Sequence, residues 1–212
     1  MVTMTSFKQK YGVHFTTRHN GKMEEMISLS TSVLKNPYCQ ARQRIPGSIC
    51  EKCYSEAMHN MYSDLSRCTE KNTEVLTSIE IPVNEWPKVN ASVFRLEAFG
   101  DLNNETQIIN YFNFARNNPH TTFSLWTKNP WIVNNAIQAG HKKPKNMIII
   151  LSSLFLNKPA ADKMLIRYPF VDKVFTVYND GTPSNCAGLN CNACRRCYSK
   201  RTTKEIREHL HR

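Results

Sequence analysis

Eight cysteines stand in this chain of 212 residues, and two groups of them have metal-ligand spacing. Cys186, Cys191, Cys194 and Cys197 run C-x4-C-x2-C-x2-C. Consecutive C-x2-C steps let one short loop wrap a single [4Fe-4S] cube. The small residues Ala187, Gly188 and Ala193 let backbone amides approach the sulfurs. The same thiolates could instead hold a structural zinc ion, although zinc sites more often split their ligands into two separated C-x2-C pairs. The second group is Cys39, Cys50 and Cys53, spaced C-x10-C-x2-C and followed by Tyr54. Three thiolates would leave one iron with an open position for a small molecule. The alternatives are ligands of a zinc site, or buried inert thiols. Cys68 lies on the apolar stripe of its helix and reads as a core cysteine, with a fourth-ligand role as the alternative.

The bulk properties frame these groups. Hydrophobic residues make up 41% of the chain, and no apolar run approaches the roughly 20 residues of a membrane span. The first residues, Met1 to Phe7, contain no apolar stretch of leader length. The expected location is therefore the cytoplasm, where clustered cysteines serve as metal ligands more often than as disulfides. The formal net charge is +11, which points to an acidic partner such as nucleic acid. Each cube with four thiolates would offset about 2 units of that excess. The basic residues are scattered, with denser patches at His141–Lys145, Arg195–Arg196 and Lys200–Arg212. A solvated basic face and a nucleic-acid surface both fit this pattern. No zinc-protease histidine pair and no glycine-rich phosphate loop are present.

A repeated strand–helix alternation must position the cysteines. Strands are expected over Met26–Val33, Val93–Ala98, Thr122–Thr127, Met147–Ser152 and Lys173–Tyr178. Helices are expected over Tyr54–Leu76 and Glu105–Asn117, from Pro130 to Ala139, and from Pro159 to near Tyr168. Such alternation implies a parallel sheet, and about five strands fall short of a closed eight-stranded barrel. The expectation is a single α/β domain over 1–212. A partial, open parallel β/α barrel of about five strands would occupy 23–180. A cysteine-rich cluster loop and a basic C-terminal helix would follow over 181–212. Sites in such sheets form at the carboxyl ends of the strands. Both cysteine groups follow strands, so both are expected at one mouth, close enough for electron transfer or even for one shared cluster. Glu97, Asp101, Trp126, Lys128, Ser152, Ser153, Tyr178 and Asp180 would line that mouth. Gly100 would permit close backbone approach. Asp101 could equally cap the helix beginning near Asn104.

Two resemblances follow from these residues. The order of strand, cysteine loop ending Cys53-Tyr54, helix, and strand tipped by Gly100-Asp101 resembles the front half of radical S-adenosylmethionine enzymes. That resemblance implies three cysteines on a cube with an open iron. It also implies contact with S-adenosylmethionine near Gly100 and Asp101; Lys128, also a candidate cofactor-binding residue, could balance cluster charge or be solvated. The chain also resembles the gene-product-eighty-eight-like family of phage and bacterial proteins. The similarity rests on Phe94-Arg95-Leu96-Glu97-Ala98-Phe99-Gly100-Asp101, on Phe123-Ser124-Leu125-Trp126-Thr127-Lys128, and on the closing cysteine motif. It implies an iron–sulfur, partial-barrel protein. The expected function is redox chemistry with an electron-donor protein or a small-molecule substrate. A radical enzyme and a zinc-stabilised nucleic-acid-binding protein are the alternatives.

Overall fold

The computed structural model describes residues 2–186 and 190–210. The chain opens with α1 (Met4–Tyr11), capped by Thr3 and Ser6 bonding each other's backbone. A short β1 (Ser28–Leu29) follows, then α2 (Pro37–Gln43), α3 (Tyr54–Met61) and α4 (Ser63–Ser78). The alternating part runs β2 (Val93–Leu96), α5 (Glu105–Asn117), β3 (Thr122–Thr127), α6 (Pro130–Gln138), β4 (Met147–Ser152), α7 (Asp162–Arg167) and β5 (Lys173–Tyr178). The chain closes with a one-turn α8 (Cys191–Cys194) and β6 (Glu205–His209). The six strands form one sheet in sequence order, every neighbour parallel. The sheet is open, as the strand count implies.

Side chains alternate across this sheet. Leu29, Phe94, Leu96, Phe123, Leu125, Met147 and Ile149 face the core shared with α4, α5 and α6. Aromatic rings fill its centre. Phe114 of α5 lies 4.7 Å from Trp86, 5.1 Å from Phe94 and 5.0 Å from Phe123, centroid to centroid. Asn104 starts α5 by accepting the Gln107 N–H at 3.1 Å, and Pro130 opens α6. The opposite, concave face carries Val93, Arg95, Ser124, Trp126, Ile148 and Ile150. Cys186, Cys191, Cys197 and Tyr198 pack on that face, against Met26 and Val93 and against Ile148, Ile150 and Ile206.

Both sheet edges are covered, which blunts pairing with other chains. Thr16 bridges Ser28 on the β1 side. On the β6 side, the Asn185 and Cys186 N–H groups donate to the Arg207 carbonyl at 3.1 and 3.0 Å. Lys22, ahead of β1, pairs with Glu208 of β6 at 2.9 Å, so one ion pair spans the open side.

Several sequence expectations change. The basic C-terminal helix is a strand: Glu205–His209 adds β6 to β5, because alternate side chains such as Ile206 reach the concave core. Tyr54–Leu76 is two helices, broken at Tyr62 (φ −118°, ψ 98°). The apolar spacing runs across the break and so hides it. The helix expected from Pro159 begins at Asp162. Cys39 lies in a helix rather than a loop, because Asn36 and Pro37 start one there. Replacing Phe114 by Ala should lower the unfolding free energy by about 3–5 kcal/mol. Exposed Ile166→Ala should change it by less than about 0.5 kcal/mol. Denaturant titration of both variants checks the pair.

Candidate metal centre

The four C-terminal cysteines come together. Cys186 follows β5, Cys191 and Cys194 sit at the two ends of α8, and Cys197 lies in the next 3-10 turn. Asn190 caps α8 through its side chain, accepting the Asn192 N–H at 2.8 Å. Arg195 then adopts a left-handed conformation (φ 50°) that turns Cys197 back toward the others. All four cysteines line one cavity of about 190 Å³, with Ser184, Tyr198 and Ile206 among its walls. On this measure a single water needs only ~10–15 Å³. Burial pushes the Cys186 and Cys197 thiols up to about 12 and raises Cys191, while the Arg95 charge pulls Cys191 and Cys197 back down. Among the described residues, no three His, Cys, Asp or Glu side chains form a site for one metal ion. Ala187 and Gly188, expected to bring amides near the sulfurs, lie outside the described residues.

The other group sits at the carboxyl ends of the strands. Asn36 starts the Cys39 helix by accepting the Tyr38 N–H at 2.9 Å. Its Nδ2 donates to the Asp101 carbonyl at 2.9 Å, which ties α2 to the tip of β2. Cys50 and Cys53 lie in and just after a 3-10 turn, and Ile49 N–H donates to Leu154 O beyond β4 at 2.9 Å. The loop thus reaches over the sheet mouth. Burial raises the Cys39 thiol, and the charges of Asp101, Cys53, Glu97 and Cys50 add to that rise. Burial also raises Cys50, opposed by Lys128 and Arg42. Cys39, Cys50 and Cys53 therefore share one neighbourhood with Asp101, and Lys128 flanks Cys50.

The two groups do not share a mouth. Cys191 and Cys197 pack near Met26 and Val93, at the amino-terminal ends of β1 and β2. The chain leaves β5 at its carboxyl end but folds back over the concave face, where apolar side chains need cover. Cys68 is apart from both, with Sγ 3.3 Å from His14 Nδ1.

The expected cofactor residues have structural work. The Asp101 carboxylate accepts the Lys128 N–H at 2.8 Å, the Leu102 N–H at 2.7 Å and the Thr127 hydroxyl. It ties the tips of β2 and β3 together, and Asn104, not Asp101, caps α5. A Cβ on Gly100 would run into Glu97 Oε2 and the Thr31 carbonyl, so only glycine fits. Lys128 contributes its backbone to the mouth, its N–H to Asp101 and its carbonyl to the Tyr38 hydroxyl. Ser153 bonds Thr176 at 3.0 Å and Tyr178 donates to Glu205 at 2.7 Å, both within the sheet. Asp180 is exposed and accepts the Thr182 N–H. Glu97 is buried in a left-handed conformation (φ 54°) and accepts from Thr31, Gln107 and Tyr111. Burial holds its carboxyl up at about 7. Arg95, whose charge reaches Cys191 and Cys197, is not among the residues that the strand tips pick out. Its signal was a charged residue between Phe94 and Leu96, which alternation sends to the face opposite the main core.

The gene product 88 family model matches residues 14–186. The chain belongs to this family. The matched segment includes Cys39, Cys50, Cys53 and Cys186, while Cys191, Cys194 and Cys197 lie beyond it. No curated protein and no solved structure matches the chain. Among the described residues, no helix is long and apolar enough to cross a membrane.

Gly100→Ala should cost about 1–3 kcal/mol by overpacking and lower the thermal midpoint. Glu97 gives a pH test. Its folded value lies above its ordinary 4.5. Its contribution to stability is therefore full below about pH 4.5 and is lost as pH rises to about 7. Between about pH 5 and pH 7 the unfolding free energy of the wild type should fall more steeply than that of Glu97→Gln, measured by denaturant titration at stepped pH.

Proposed function

We propose that this gene product 88 family member is an iron–sulfur redox protein, with a cluster held by Cys186, Cys191, Cys194 and Cys197 on the concave face of the sheet. The observation that carries the reading is the single cavity lined by all four cysteines. Its donor set is four thiols, its size exceeds what a lone ion fills, and a buried guanidinium stands nearby to balance anionic charge. Those features suit a [4Fe-4S] group, which when bound takes up and releases one electron. Tyr198 and Ile206 would supply its apolar wall. Thiolate ligation favours a reducing compartment, in keeping with the cytoplasm.

The mouth set, Cys39, Cys50 and Cys53, would hold a second cluster through three thiolates, leaving one position for a small-molecule substrate. Electrons would then pass between an external donor protein and that substrate. Asp101 would shape this site by holding the tips of β2 and β3, not by binding S-adenosylmethionine, since its carboxylate is already engaged.

Protein purified without oxygen should be brown and carry about four irons with matching sulfide for one cube, or about eight for two. Cys194→Ala should lose the C-terminal cluster's share of iron, and Cys68→Ala should keep it all. Equal iron in wild type and Cys194→Ala sinks the ligand assignment. Zinc without sulfide sinks the redox reading and favours a zinc-stabilised nucleic-acid-binding protein.

A further inference from the structure

Arg95 is 8% exposed and sits mid-strand in β2, on the concave face. Its register partners are Ser28 and Ser124, both fully buried. Its guanidinium lies against the Trp126 ring. Its Nε, the Ser124 Oγ and the Trp126 Nε1 are buried without a hydrogen-bond partner among the described residues. None of the ion pairs among those residues involves Arg95. A desolvated cation with no carboxylate is costly. Arginine cannot escape that cost by losing its proton. Its strand neighbour Val93 packs with Tyr198, Cys191 and Cys197, and Trp126 packs on the same apolar cluster as Cys186 and Cys197. The missing anion therefore belongs on the cysteine side.

Resting on the iron–sulfur reading, we infer that Arg95 is the positioning residue of the C-terminal cluster. Its guanidinium supplies counter-charge to the cluster from the sheet side. Positive charge close to a cluster raises its reduction potential. Arg95 thus sets the potential at which the protein gives up its electron. His19, bonded to Ser28 at 2.9 Å, closes the far side of the same polar row.

The test compares wild type, Arg95→Lys and Arg95→Met in an EPR-monitored redox titration, with iron, sulfide and thermal midpoint measured on the same samples. Arg95→Met with a full cluster should show a lower reduction potential, and Arg95→Lys, which keeps the charge, a smaller shift. An unchanged potential in fully loaded Arg95→Met overturns the inference. Should Arg95→Met fail to fold, wild type labelled with [15N]arginine decides. Pulsed EPR should show a 15N coupling to the reduced cluster that Arg95→Lys lacks. Its absence from wild type overturns the inference while leaving the cluster reading intact. Wild type without iron and sulfide removes the reading itself, and the inference with it.

Discussion

A parallel sheet that stops short of closure has a concave face with nothing opposite it, and that face must be covered. A closed eight-stranded barrel fills its interior with its own side chains. Here β2, β3 and β4 present Val93, Arg95, Ser124, Trp126, Ile148 and Ile150 toward an unfinished interior. The described residues of the connection between β5 and β6 supply the cover. They cross on the side opposite α4, α5 and α6, and their inward contacts come from Cys186, Cys191, Cys197 and Tyr198. The segment that completes the fold is thus also the one with the densest metal-ligand spacing. The Lys22–Glu208 pair secures this cover where the first and last strands fail to meet.

The mouth depends on a different constraint. Loops that cross strand ends bring backbone groups into buried positions, and these need partners. One carboxylate meets much of that need, since Asp101 accepts from Thr127, Lys128 and Leu102 while its own carbonyl receives Asn36. The helix carrying Cys39 is therefore positioned by the same residue that joins β2 to β3. Glu97 anchors Thr31, Gln107 and Tyr111 beside it, and Gly100 makes the close packing of this turn sterically feasible. These bonds tie together the turn that borders Cys39, Cys50 and Cys53.

Much of this was legible in the residues. β3, β4 and β5 fall where their apolar runs end, and α5 spans the expected residues because Asn104 and Asn118-Pro119 mark its limits. β6 was hidden because Glu205–His209 is mostly charged, and only Ile206 reveals a strand by burial. The placement of the C-terminal cysteines was also hidden. Spacing tells which sulfurs can share a group, but not which face of the sheet a returning loop will cover. The neighbourhood of Cys39, Cys50, Cys53, Asp101 and Lys128 was legible, since all follow the carboxyl ends of strands. The inward role of Asp101 was not, because a carboxylate at a strand tip reads alike whether it serves a ligand or a backbone amide.

The most direct measurement is anomalous diffraction at the iron edge from crystals of anaerobically purified protein. A compact anomalous peak inside the cavity bounded by Cys186, Cys191, Cys194 and Cys197, on the concave face beside Arg95, is the predicted result. An anomalous signal confined to the strand mouth at Cys39, Cys50 and Cys53, or one seen only at the zinc edge, would contradict it.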